Sequence, residues 1–176
     1  FTTDATVKAR TVGVGILTRE EALIYGTVGP TARASGLEMD VRCDQPYAAY
    51  GDLDVKCIVE QAGDVQARVV VRALEMLESV RLIEKALQNL PVGPIRIADR
   101  FPVIPVGEAT SRAEAPRGEV FYYITSDGSD IPQRVKIRTP TFANMPSVRA
   151  MSKDQQLSDM PLIQASIDPC YSCTDR

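Results

Sequence analysis

Two cysteines, Cys170 and Cys173, stand in Cys-x-x-Cys spacing within "SIDPCYSCTDR", and only Thr174, Asp175 and Arg176 come after them. A pair of this kind serves dithiol redox chemistry, supplies two ligands of a metal site, or packs as two buried thiols. The redox use expects a strand before the pair and a helix after it, because a helix N-terminus lowers the thiol pKa. The residues after the pair predict no helix. A closed zinc or iron-sulfur site needs two further thiolates. Cys43 and Cys57 flank "DQPYAAYGDLDVK", outside any second Cys-x-x-Cys, and read as free, partly buried thiols. The remaining reading is half of a metal site completed from another chain or segment. Metal bonds would also pin a chain end that otherwise frays. Asp168 and Pro169 add a carboxylate and rigidity next to the pair.

Composition narrows the chemistry further. The chain has 176 residues, enough for one unit with a substantial core, 44% of them apolar, with a formal net charge of -3. That balance argues against nucleic acid as a partner. No run of about twenty apolar residues spans a bilayer, and "FTTDATVKAR" lacks the apolar core of a secretory signal, so a soluble chain is expected. Four cysteines without such a signal point to a reducing compartment. The absence of histidine removes the commonest general base and neutral metal ligand, and leaves thiolates and carboxylates as metal donors. A start at Phe1 reads as a processed or excised piece of something longer.

The elements that must position the cysteines are partly legible. The glycine-rich stretch from Val12 to Leu17 reads as a loop feeding a short helix, with Thr18 and Glu21 in capping-box spacing and Gly26 as its stop. "GPTARASG" predicts a single short helical stretch presenting Arg33. Between Gly63 and Leu90, Val65, Val69, Ala73, Met76, Val80, Ile83 and Leu87 recur at helical spacing, with Asp64 as cap. Val70, Leu74 and Leu77 widen that stripe, so a central packing helix is expected. Ile95 to Glu114 reads as an irregular surface excursion. Val120 to Thr125 and Arg134 to Thr139 read as a hairpin with a longer loop. Ser158 and Asp159 before "MPLIQASI" predict a short helix delivering the cysteine pair. The fold class is α+β, predominantly helical with a small β portion.

Six stretches, "VGVGILTREEALIYGTVGPTARASG", "DVRCDQPYAAY", "GDVQARVVVRALEMLESVRLIEKAL", "EAPRGEVFYYI", "KIRTPTFANM" and "DPCYSCTDR", follow one another along nearly the whole chain. In this order they resemble the large, catalytic subunit of nickel-iron hydrogenases, in the membrane-bound, energy-converting form related to respiratory complex I. The quinone-pocket subunit of complex I shares the framework but lacks the terminal cysteine pair. The resemblance implies that Cys170 is a terminal nickel ligand and that Cys173 bridges nickel to an iron carrying carbon monoxide and cyanide. It implies that Arg117, in "APRG", hangs over the cluster and pairs with Asp168, with Pro116 lining a cyanide pocket. In "RTPT", Thr141 would donate to the other cyanide and Pro140 would shape the same wall.

The resemblance further implies the C-terminal half of the catalytic subunit, reducing protons to dihydrogen or oxidising dihydrogen. Its expected partners are the N-terminal half of the large subunit, an iron-sulfur small subunit, membrane ion-translocating subunits and a ferredoxin-like electron donor. The expected location is the cytoplasmic face of the cell membrane, in a peripheral part of a complex. The family's other Cys-x-x-Cys and its relay glutamate are absent from this chain, which is therefore expected to be inactive alone. Arg176 stands where many relatives have a metal-binding histidine, as in energy-converting relatives trimmed after that arginine, and so reads as a mature end. Two alternatives stay open: a non-catalytic, complex-I-like structural or electron-transfer module without nickel, and a dithiol oxidoreductase.

Overall fold

The computed structural model describes residues 4–96 and 104–175. Five short helices come first: α1 (Ala5–Thr11), α2 (Arg19–Ile24), α3 (Pro30–Arg33), α4 (Val41–Asp44) and α5 (Tyr50–Leu53). The long helix α6 (Val65–Gln88) follows, then strands β1 (Val106–Ala115), β2 (Gly118–Asp127) and β3 (Arg134–Arg138). The chain closes with α7 (Pro140–Met151), α8 (Met160–Ser166) and a last turn, α9 (Tyr171–Thr174). The α+β expectation holds at that level.

Local chemistry explains the helix starts. Thr18 and Glu21 form the expected capping box, with the Glu21 backbone N–H on Thr18 Oγ1 at 3.2 Å and the Thr18 N–H on Glu21 Oε2 at 3.0 Å. Asp64 caps α6 by accepting from Ala67 N at 2.8 Å, and its other oxygen accepts from Gly13 N at 2.8 Å. One carboxylate thus starts the long helix and fastens the preceding loop to it. The main apolar core is built from Leu17, Ala22, Ala32, Leu37, Val65, Met151, Ile163 and Ile167. It joins the loop before α2, the start of α6 and helices α7 and α8, the two elements that deliver the cysteine tail.

Three expectations are corrected. Residues 95–114 are not wholly an irregular excursion: Val106–Ala115 is a strand of 10 residues, paired antiparallel with β2 from Val106↔Asp127 to Ala115↔Gly118. Its sequence, "VGEATSRAEA", is polar and largely exposed, so no apolar alternation marked it; the partner strand supplies its hydrogen bonds. The remainder of that expectation, at 97–103, lies outside the described residues. The sheet is accordingly three-stranded, in the order β1-β2-β3.

The α6 stripe is also divided. Val65 packs in the core, but Met76, Val80, Ile83 and Leu87 are 66%, 55%, 59% and 66% exposed, and Leu74 and Leu77 on the widened face are exposed as well. The buried positions are Val65, Ala67, Arg68, Val71, Glu78 and Leu82. Periodicity identifies an apolar face without saying what lies against it. Lastly, α3 does not present Arg33: the side chain is 1% exposed. It donates to Glu75 at 2.7 Å, Glu114 at 2.9 Å and the Met39 carbonyl at 2.8 Å.

Candidate metal centre

The cysteine tail is held by α7. Pro140 opens this helix, where its missing N–H costs nothing. Thr139, just before it, donates its hydroxyl to the Cys173 carbonyl at 2.6 Å, and buried Thr141 Oγ1 accepts from Cys170 N at 3.2 Å. Within the tail, Cys173 N reaches Cys170 O at 3.1 Å and Asp175 N reaches Tyr171 O at 2.8 Å, closing the single turn of α9. That turn starts at Cys170 and contains Cys173, and among the described residues no helix follows the pair, as expected. At one helical turn apart, the two thiols share a face.

Cys170 Sγ lies 3.1 Å from Ser172 Oγ. This contact, the Cys173 side chain and the Cys173 backbone N–H bring the Cys170 thiol down to about 7, with Arg117 adding positive charge and burial opposing. Cys57 behaves in the opposite way: burial pushes it up to about 12. Cys43 and Cys57 are free and half-buried, as expected.

Arg117 arrives from the sheet. Ala115↔Gly118 is the last pair of the β1–β2 ladder, so Pro116 and Arg117 are the two residues of its turn. The Arg117 Nε lies 2.9 Å from Asp168 Oδ2 and 3.0 Å from the Asp168 carbonyl, and Nη2 lies 3.1 Å from Oδ1. This forked pair fixes the guanidinium two residues from Cys170. Asp168 has φ +53, a left-handed conformation in which aspartate is one of the tolerated residues, and the turn lets one residue offer carbonyl and carboxylate to the same arginine.

Glycines set the hairpin tip in place. Gly29 and Gly118 have φ +67 and φ +127, and their backbones are in such contact that a methyl group on Gly29 would collide with Gly118 Cα and the Arg117 carbonyl. Buried Asn144 of α7 locks the junction: it accepts from Val28 N at 2.9 Å and donates to Val28 O at 3.1 Å and Arg117 O at 3.5 Å. Sequence reasoning missed Gly29, Asn144 and Thr139. The "GP" and "RG" dipeptides were the only signal, and each pointed to a turn without its partner.

Cys170, Cys173, Arg117, Asp168, Pro140 and Thr141 therefore converge on one corner, with Pro116 on the wall of an adjoining cavity that also includes Asp168. Two neighbouring sulfurs, one partly ionised near neutrality, suit a soft transition metal. Among the described residues no group of three or more His, Cys, Asp or Glu side chains surrounds a single ion. The cysteine pair can supply two thiolate donors to a metal, and a closed site would need further donors.

A family model described as "Respiratory-chain NADH dehydrogenase, 49 Kd subunit" matches residues 1–105 and 99–176, and the chain belongs to that family. It is 44% identical over 176 residues to the carbon monoxide-induced hydrogenase of Rhodospirillum rubrum, covering 100% of this chain and 48% of that protein. It is 43% identical over 183 residues to a subunit of the F(420)H(2) dehydrogenase of Methanosarcina mazei, covering 100% of this chain and 49% of that protein. Formate hydrogenlyase subunit 5 of Escherichia coli is 41% identical over 170 residues, covering 97% of this chain and 30% of that protein. The chain spans about half the length of the first two. Among the described residues no helix is long and apolar enough to cross a membrane.

Proposed function

We propose that this chain is the C-terminal part of the catalytic subunit of a complex-I-related, energy-converting hydrogenase, and that Cys170 and Cys173 hold a nickel-iron centre carrying carbon monoxide and cyanide. When bound, that group supplies the interconversion of protons and dihydrogen. The convergence of the cysteine pair, the Arg117–Asp168 fork and Thr141 from three elements distant in sequence carries the reading.

The chain's own residues would act as follows. Cys170, brought down to about 7 by its hydrogen bonds, is partly thiolate near neutral pH and so is readily available as a metal donor. Arg117 holds a permanent positive charge beside the sulfurs, and Asp168 fixes its direction, so the site favours anionic ligands. Thr141 accepts from Cys170 N, which leaves its hydroxyl proton for an acceptor such as cyanide. Pro116 and Pro140 add rigid walls without N–H donors. Completion of the site, electron supply from an iron-sulfur small subunit with a ferredoxin-like donor, and coupling to membrane ion-translocating subunits belong to the rest of the complex, at the cytoplasmic face of the membrane.

Cys170→Ser or Cys173→Ser in the intact complex should remove nickel from the purified assembly and reduce dihydrogen evolution to background, read by elemental analysis and gas chromatography. Retention of both by either variant would overturn the proposal. A second reading has its own support in the match to a respiratory-chain NADH dehydrogenase subunit. It makes the chain a module without nickel, and predicts that the native complex contains none and that the serine variants are silent.

A further inference from the structure

Both ends of helix α3 grip the β1–β2 hairpin, one strand each. At its start, Gly29 meets Gly118 on the β2 side of the tip. At its end, Arg33 Nη1 donates to Glu114 Oε1 at 2.9 Å on the β1 side, three residues before Arg117. Gly29 O accepts from Arg33 N at 2.9 Å, so a single helical turn carries both contacts and fixes the distance between them. One contact alone would let the tip pivot about it. Two contacts, on the two strands, remove that rotation.

Glu114 is itself held from several directions. Its other oxygen accepts from Val41 N at 3.3 Å, and its own N–H donates to the Tyr47 hydroxyl at 3.1 Å, so α3, α4 and the loop after α4 converge on this residue. Arg33 is held as firmly, by Glu75 Oε1 at 2.7 Å, the Met39 carbonyl at 2.8 Å and the Asp40 carboxylate at 3.6 Å. Both side chains are buried. Stability alone does not account for so deep a pair, because apolar residues of similar volume often pack as well without the cost of desolvating two charges. Apolar contacts lack direction. A guanidinium in a rigid fork sets the angle from which each partner must approach, and here one of those partners is the last but one residue of β1.

We propose that Arg33 and Glu114 are positioning residues for the cysteine corner: their ion pair stops the hairpin tip from pivoting on Gly29 and so keeps the Arg117 guanidinium aimed at Asp168. The use of that aim at a nickel-iron centre rests on the proposed function, whereas the aim itself does not.

The test uses the intact complex and reads Arg117 directly, as its rate of modification by phenylglyoxal followed by mass spectrometry. A guanidinium forked onto a carboxylate is protected, so release from Asp168 shows as a faster rate. Glu114→Ala should speed the reaction at Arg117 roughly fivefold or more, and Glu114→Gln, which keeps one acceptor oxygen for Arg33, roughly threefold or more. Arg112, on the same strand, should stay within about twofold in both variants, which separates a pivoting tip from a loosened hairpin. Glu75→Gln also takes a charged partner from Arg33, but from α6, and should leave Arg117 within about twofold of wild type. Asp168→Ala breaks the fork itself, and adding Glu114→Ala to it should change the rate less than about twofold, since residues that act through one contact are not additive. Smaller Arg117 rates in the Glu114 variants, a matching rise at Arg112, a rise beyond twofold with Glu75→Gln, or additivity in the double variant would each overturn the proposal. If Glu114→Ala fails to assemble, Glu114→Gln takes its place in both measurements. None of these readouts measures nickel or dihydrogen, so failure here and failure of the proposed metal site are separable.

Discussion

Single residues do different kinds of work here even when they are chemically alike. Arg68 is buried and bonds neutral acceptors: Ser166 Oγ at 2.8 Å, Gly63 O at 2.7 Å and Gly15 O at 2.8 Å. Burial brings it down to about 10, with the neighbouring Arg72 charge assisting. It is a buckle between the early loop, the start of α6 and α8. Arg68→Met should therefore destabilise the fold by about 3–5 kcal/mol, since the carbonyls stay buried and unsatisfied; urea denaturation measures it, and a loss under 1 kcal/mol would refute the buckle. Asp40 works through charge. Burial alone would raise its pKa, but the hydrogen bond from Arg42 and the charges of Arg33 and Arg42 outweigh that and hold it below 3.8. A depressed carboxyl contributes stability that is complete above its unfolded value and is lost as pH falls through its folded value. Stability measured from pH 5 down to pH 2 should fall less steeply in Asp40→Asn than in wild type, and parallel curves would exclude the role.

Elements explain why those residues meet. The β1–β2 turn, Gly29 and α7 make a joint in which backbone contact, rather than side-chain packing, places Arg117. Gly118→Ala adds a methyl where φ is +127 and where Gly29 N lies 2.7 Å from the new atom. It should cost about 2–4 kcal/mol from strain and overpacking together. In the intact complex it should also lower activity more than Gly13→Ala, which has φ +73 but open space around it, so comparing the two variants isolates displacement of Arg117 from simple backbone strain. Much of this level was readable in advance: the Thr18 and Glu21 box, the Asp64 cap and the helix before the cysteines are local patterns of three or four residues. Strand β1 was not, because its polar residues gain strand geometry from a partner whose register is set by the turn. The Arg117–Asp168 bond joins positions 51 apart, which no local period encodes. Those two residues were identified through resemblance, and the geometry supplied the reason they meet.

At the scale of the whole molecule, the fold is divided between a well-packed end and an exposed apolar face. The core around Leu17, Val65, Ile163 and Ile167 is closed, whereas the second half of α6 holds Leu77 and Leu87 at 68% and 66% exposure. Replacing such residues removes little from the internal packing of the chain, so Leu77→Glu with Leu87→Glu should change its own stability by no more than about 1 kcal/mol in total. An exposed apolar seam does drive association, however, and charges placed on it oppose that. The isolated chain should therefore self-associate as its concentration rises, and the double variant should remain dispersed at the same concentrations, as measured by light scattering. In the complete complex the same two substitutions should instead weaken assembly, read as subunit loss on gel filtration. A variant that unfolded the isolated chain would show that these leucines belong to its core, and one that assembled normally would show that the seam has no partner. The two measurements together separate what the sequence needs in order to fold from what it needs in order to assemble.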